Sequence, residues 1–249
     1  MAGHDPSGAA GIQADIESIA AAGCQCVSVI TALTTQNTSV FLELLPQQAE
    51  HFRKQCLTLL ADIDIDACKI GLIGDLSIAE TITEILDDKI QVPVVFDPIF
   101  NAGVGEALAT TELWEYIVRE LVKRAYVLTP NYSEARQLTG HDNIYRAGEK
   151  LVTAGCPYVL VTGADESTPD ITNILFHERG DPVHYKWERL NGTYHGSGCT
   201  LSSTIAAYLA KGADPVTAIG AAQEYTWKSL KSGHHFGRDQ IHPDRFHGN

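Results

Sequence analysis

At 249 residues, 44% hydrophobic and 20% charged, the chain has the length for one large α/β domain or two small ones and enough apolar content for a full core. A net charge of -13 argues against a general nucleic-acid-binding surface. It leaves room for a small anion, which a local nest of backbone N–H groups can hold inside an acidic protein. Cysteines 24, 26, 56, 68, 156 and 199 form no C-x-x-C pair and match neither a zinc spacing nor a disulfide framework, so they read as core residues in a reducing compartment. No apolar run nears the roughly 18 residues that span a bilayer. No leader pattern is visible either, so the expected location is the cytoplasm, with neither membrane nor nucleic acid as a partner.

Met1–Gly11 (MAGHDPSGAAG) reads as a glycine-rich loop feeding an Ala-rich helix over Ile12–Ala22, which Gly23 ends. Such a loop lets backbone approach a small ligand, with His4 and Asp5 offering polar groups. An ordinary loop with a solvated Asp also explains it. Cys26–Thr31 reads as a buried strand, and Ala32–Thr38 as a polar stretch past its C-terminal end, where open α/β sheets bind ligands. Gln36 and Asn37 can each donate and accept, which suits an aminopyrimidine or amide-like edge; satisfying a turn is the plainer use.

Pro46–Leu60 and Leu76–Leu86 read as helices, with a strand at Ala67–Leu72 between them. The strand Val92–Phe96 ends at Asp97, which can bind Mg²⁺ or cap a turn. Ile99–Glu106 reads as a mobile loop, Thr110–Val122 as helix and Ala125–Leu128 as strand. Thr129-Pro130-Asn131 then opens another helix. Asn131 and Glu134 share one side of its first turn, where they can hold hydrated Mg²⁺ near phosphates; helix capping alone explains the same spacing. Helix Ile144–Ala154, strand Tyr158–Thr162 and the polar loop Gly163–Asp170 follow, then a hairpin of Thr172–His177 and Val183–Glu188. The last helix is Pro215–Lys231, and the histidine-containing tail beyond it reads as solvated.

Between hairpin and last helix lies Gly192–Thr204 (GTYHGSGCTLSST). Gly196 and Gly198 bracket Ser197, Cys199 follows, and an apolar run to Ala210 reads as helix. A glycine turn at a helix start presents unpaired N–H groups at the positive end of the dipole, a ready phosphate site. The dipole would lower the pKa of a thiol there. A tight turn with an inert Cys is the alternative. Strands alternating with helices predict one three-layer α/β domain with a mainly parallel sheet and a late antiparallel hairpin.

Six segments in this order resemble the hydroxymethylpyrimidine kinase/phosphomethylpyrimidine kinase family of thiamine biosynthesis, within the ribokinase-like superfamily. They are AGHDPSGAAGIQAD (Ala2–Asp15), SVITALTTQNT (Ser28–Thr38), KIGLIGD (Lys69–Asp75), VVFDPIF (Val94–Phe100), LTPNYSEA (Leu128–Ala135) and HGSGCTLSS (His195–Ser203). The resemblance implies a ribokinase-like αβα sandwich, a homodimer, and ATP- and Mg²⁺-dependent phosphorylation of 4-amino-5-hydroxymethyl-2-methylpyrimidine, then of its monophosphate. It implies that Gln36 binds the pyrimidine, that Gly3, Asp5 and Ala10 belong to a loop around it, and that Leu72 and Ile99 pack on the ring. Gly196, Ser197, Gly198 and Cys199 would form the anion hole, with Cys199 as acceptor of the substrate proton. Asn131 and Glu134 would serve Mg²⁺ and the nucleotide phosphates, Asp97 would stand on the metal side, and Thr162 and Gly163 would border the nucleotide.

The sequence departs from the family pattern in three places. Met1 directly precedes the first glycine loop, so the usual first strand is missing or truncated. Asn101–Gly105 stands in place of a lysine-containing segment, and Thr162–Asp165 in place of Lys-Gly-Gly-His. The rival readings are a pyridoxal kinase and a non-catalytic binding protein that kept the fold.

Overall fold

The computed structural model describes residues 1–100 and 110–248. Nine strands and eight α-helices are assigned among them. In chain order these are β1 (Ala2–His4), α1 (Gly11–Ala21), β2 (Ile30–Gln36), β3 (Phe41–Pro46), α2 (Ala49–Leu60), β4 (Cys68–Ile70), α3 (Leu76–Lys89) and β5 (Val94–Phe96). There follow α4 (Thr111–Tyr116), β6 (Val127–Leu128), α5 (Tyr132–Thr139), α6 (Ile144–Thr153), β7 (Tyr158–Val161), β8 (Asp170–His177), β9 (Val183–Glu188), α7 (Ser197–Ala210) and α8 (Pro215–Lys231).

The larger sheet runs β4-β5-β6-β7-β8-β9, parallel through β7 and antiparallel after it. Its central strands are short apolar runs buried on both faces, as parallel strands under helices must be. Period-two alternation sorts their side chains into two cores. Phe96, Leu128, Val159 and Val161 pack with residues of α2 through α6, whereas Val95, Val127, Tyr158 and Leu160 pack with α7 and α8. This is the three-layer arrangement of the ribokinase-like class.

The smaller sheet, β1-β2-β3, corrects several sequence expectations. β2 begins only at Ile30 and continues to Gln36, through residues expected as loop. Its partner β3 was not anticipated, and Pro46 closes that strand instead of opening a helix. The turn between them has a local cause: Asn37 Oδ1 accepts from the N–H groups of Ser39 and Val40, an Asx turn that reverses the chain. Cys26–Val29, the first part of the strand expected over Cys26–Thr31, makes no backbone ladder among the described residues; only Val29 O pairs, accepting from Ala2 N at 3.4 Å.

The first strand is present as three residues. It pairs with β2, and Met1 reaches the other sheet: its amino group donates to Lys69 O at 2.7 Å, and its carbonyl accepts from Gly71 N at 2.9 Å. Beside Met1, between Cys24–Val29 and β4, lies a mostly apolar cleft of about 400 Å³ that none of the predicted site residues lines.

The expected helix over Thr110–Val122 is α4 followed by a wide π-type turn at Ile117–Leu121 and a tight turn at Val122–Arg124, which keeps Ile117, Leu121 and Val122 buried. The tail is solvated only in part: residues 234–239 are exposed as expected, whereas Gln240, His242 and Arg245 are buried. The departure at Asn101–Gly105, and most of the loop at Ile99–Glu106, lie outside the described residues. Among the described residues, no helix is long and apolar enough to cross a membrane.

Candidate active site

The start of α7 is shaped by Gly196. It sits in the left-handed region at φ 79°, where a side chain would also meet the Ala9 carbonyl, so only glycine suits the position. Thr200 ties the Gly196 carbonyl down through its N–H (2.9 Å) and its hydroxyl (2.8 Å). The next three N–H groups, of Ser197, Gly198 and Cys199, find no acceptor among the described residues, and no side chain caps the helix. Gly198 is exposed and faces the Asp97 carboxylate. The helix therefore opens on a glycine turn with three N–H groups free among the described residues.

Cys199 departs from expectation. Burial outweighs the pull of Lys69 and of the Gly11 N–H, Asp15 and Asp97 add to it, and the thiol is pushed up to about 11 instead of down. It is a neutral thiol at physiological pH, not a ready base.

Beneath it, Lys69 on β4 pairs with Asp15 on α1 at 2.7 Å, and the Ser203 hydroxyl on α7 donates to the same carboxylate oxygen at 2.6 Å. Burial alone would lower the Lys69 pKa, but Asp15, Cys199 and Asp97 raise it. Asp97 accepts from the Ser202 hydroxyl at 3.2 Å and from Thr129 at 3.5 Å. Burial, opposed by Lys69, brings it up to about 6. Lys69, Asp15, Ser202, Ser203 and Thr129 all act here without having been assigned a role from sequence. Lys69 and Asp15 stand inside quoted motifs; what was missing was the pairing between them.

Asp5 organises the predicted substrate loop. Its carboxylate accepts from the N–H and hydroxyl of Ser7 and the N–H of Ala10, at 2.8–2.9 Å. His195 Nε2 lies 3.2 Å away at an angle outside a hydrogen bond, an ionic contact when the ring is protonated. Burial would raise the Asp5 pKa, but His195 and Ser7 together bring it down to about 2. Gly3 packs on Leu72, leaving no room for a side chain. Thr34 donates to His4 O at 2.9 Å, tying the loop to β2, at whose end half-buried Gln36 makes no side-chain hydrogen bond among the described residues. Ile99 is half-buried two residues past Asp97.

On the nucleotide side, Asn131 and Glu134 form a reciprocal capping box: Asn131 Oδ1 accepts from Glu134 N, and Glu134 Oε2 accepts from Asn131 N, both at 2.8 Å. Capping thus accounts for their spacing by itself. The Glu134 carboxyl is buried, and burial plus Asp97 pushes it up to about 8. Thr162 bridges to Asn131, and Gly163 N donates to Asn173 Oδ1 at 3.0 Å. Asp165, in the departure from the family pattern, accepts from Ser133 N at 2.8 Å at the mouth of α5.

Among the described residues, no group of three or more His, Cys, Asp or Glu can hold a metal alone. Asp97 and Glu134 are nonetheless two carboxyl groups pushed up chiefly by burial, and the Asp97 charge adds to the rise at Glu134. That donor set fits Mg²⁺ held by one or two carboxylates together with phosphate oxygens.

The phosphomethylpyrimidine kinase family model matches residues 5–244. The chain belongs to this family. Within the phosphomethylpyrimidine kinase family it is 34% identical over 256 residues to the hydroxymethylpyrimidine/phosphomethylpyrimidine kinase of Rhizobium meliloti, covering 97% of this chain and 94% of that one. It is 33% identical to a probable thiamine biosynthetic bifunctional enzyme of rice chloroplasts, of which it spans 44%. Among solved structures it is similar to the phosphomethylpyrimidine kinase of Clostridium difficile 630 (TM-score 0.79, 32% identity, 90% of this chain and 94% of that one). It also resembles the Bacillus subtilis pyridoxal kinase in its ADP complex (TM-score 0.89, 28% identity, 98% and 95%).

The buried thiol yields a prediction. Iodoacetamide at neutral pH leaves Cys199 unmodified while half-buried Cys24 and Cys26 are alkylated, as peptide mass spectrometry can follow. A titration midpoint for Cys199 below about pH 8 would contradict a thiol held protonated by burial.

Proposed function

We propose that this chain transfers the γ-phosphoryl group of ATP to the hydroxymethyl oxygen of 4-amino-5-hydroxymethyl-2-methylpyrimidine, and then phosphorylates the resulting monophosphate. The observation that carries the reading is the open start of α7: three N–H groups without acceptors, beside Asp97, in a chain of the phosphomethylpyrimidine kinase family.

Phosphoryl transfer asks the protein for position and charge stabilisation more than for covalent chemistry. The N–H groups of Ser197, Gly198 and Cys199 hold the equatorial oxygens of the moving group, each preorganised donor being worth about 10²–10³ in rate. Gln36 orients the pyrimidine through its free amide. The Gly3–Gly11 loop, with Leu72 and Ile99, covers the ring and excludes water. Asp97 and Glu134 would hold Mg²⁺, and Asn131, Thr162 and Gly163 border the nucleotide. The metal, when bound, neutralises charge on the phosphate oxygens. The hydroxyl oxygen attacks the γ-phosphorus, the bond to the leaving ADP oxygen breaks, and the hydroxyl proton passes to a non-bridging oxygen of the transferred phosphoryl group. Cys199, a neutral thiol, lies against that hydroxyl and orients it. A loose transition state needs little proton transfer early on.

A second reading, phosphorylation of pyridoxal, draws on the similarity to the Bacillus subtilis pyridoxal kinase. Gln36 in its TTQNT context favours the pyrimidine. We further propose one kinase unit per chain and a homodimer formed through the β2–β3 hairpin, where Leu33, Val40, Leu42 and Leu45 are exposed together.

Steady-state kinetics test the substrate. The expected kcat/KM for the hydroxymethylpyrimidine exceeds that for pyridoxal by about tenfold or more, and Gln36→Ala raises the pyrimidine KM about tenfold while the ATP KM stays within about twofold. A preference for pyridoxal would establish the second reading, and binding without turnover would return the chain to a binding protein. Sedimentation tests the assembly: the wild type should run as a dimer and Leu42→Lys as a monomer, and a wild-type monomer would remove the hairpin interface.

A further inference from the structure

The segment after α8, residues 233–248, reads in sequence as a solvated tail and is instead threaded through the candidate site. Its His234 and His242 pair backbone to backbone. Ile241 N donates to Thr193 O at 2.8 Å, and its carbonyl accepts from His195 N at 3.0 Å, just ahead of the Gly196 turn. Arg238 N donates to Thr38 Oγ1 at 3.2 Å and Gln240 N to Thr38 O at 3.3 Å, two residues beyond Gln36. The segment thus touches the approach to the anion turn and the end of β2 at once.

Arg245 is its pivot. The side chain is buried, and its three donor nitrogens go three ways. Nη1 pairs with Glu17 of α1 at 2.9 Å, Nη2 donates to the Ala9 carbonyl, and Nε donates to Thr200 Oγ1 at 3.0 Å. Thr200 passes the constraint on by donating to Gly196 O. One guanidinium therefore holds a carbonyl of the substrate loop and, through Thr200, the carbonyl whose orientation turns the N–H groups of Ser197–Cys199 outward. The Arg245 carbonyl is fixed in turn by the Tyr225 hydroxyl of α8 at 2.5 Å. An ammonium is a compact point charge and cannot span acceptors on three elements as a planar fork does.

We propose that Arg245 is a positioning residue that clamps the Gly3–Gly11 loop onto the start of α7, making the C-terminal segment a wall of the alcohol-substrate site. The proposal rests on the kinase reading, and it gives Arg245 no contact with reacting atoms. Its effect belongs on the alcohol substrate and on the loop, not on ATP.

The test compares wild type with Arg245→Lys, Arg245→Met and Thr200→Val; the last removes the relay without touching charge and guards against a variant that fails to fold. Expected are an alcohol-substrate KM raised about tenfold in Arg245→Met and less in Arg245→Lys, with the ATP KM within about twofold. Hydrogen exchange of backbone amides at residues 5–10 should quicken about tenfold or more in both Arg245 variants while the β5–β7 amides are unchanged. Thr200→Val should lower kcat with a smaller effect on the alcohol KM. Loop exchange unchanged in a folded Arg245→Lys, or equal rises in both KM values, would overturn the clamp and leave Arg245 a packing residue. Exchange needs no turnover, so a wild type without kinase activity would sink the functional reading while this readout still decides the clamp.

Discussion

The ion pair between Lys69 and Asp15 is the constraint on which the site rests. It joins the edge strand β4 to α1, and Ser203 brings α7 to the same carboxylate. Both groups are almost fully buried, so loss of either would leave a charge uncompensated, typically at a cost of about 3–5 kcal/mol. The pair also sets the local field. Lys69 opposes the effect of burial on both Asp97 and Cys199. Asp97, a carboxyl group of low ordinary pKa, therefore stays near the pH range in which it can carry charge, while the equally buried thiol, which starts higher, does not.

Above this pair the acceptors and donors are unequally matched. Asp5 is satisfied by its own loop, the Gly196 carbonyl by Thr200, and the Ala9 carbonyl by Arg245. What remains unpaired among the described residues is the run of N–H groups that opens α7, and on the other side stand two carboxyl groups whose pKa values burial pushes up. On the reading proposed above, the open N–H groups beside Gly198 would take the phosphate and the two carboxyl groups the metal.

The layers and the late hairpin were legible from periodicity because the strands of the large sheet are short apolar runs and the helices carry clear stops. The small sheet was not. Thr34, Thr35 and Gln36 look like loop residues, and only pairing with β3 makes them strand; Cys26–Val29 looks like strand but pairs only through Val29 O. In the site, the glycine turn was readable because its chemistry is local. The Cys199 pKa was misjudged because the helix dipole is a local effect and burial is a tertiary one. Likewise Asp15–Lys69 and Arg245–Ala9 join residues 54 and 236 positions apart, a distance at which no local pattern reports contact.

The central claim is that the start of α7 receives the phosphoryl group. Amide NMR of the Mg²⁺·ADP·aluminium fluoride complex with the hydroxymethylpyrimidine reads it directly, because a charge-assisted hydrogen bond moves an amide proton downfield. The account predicts large downfield shifts for Ser197, Gly198 and Cys199 and small ones for the other amides of α7. Unmoved resonances at those three positions, in a complex that has demonstrably formed, would contradict it.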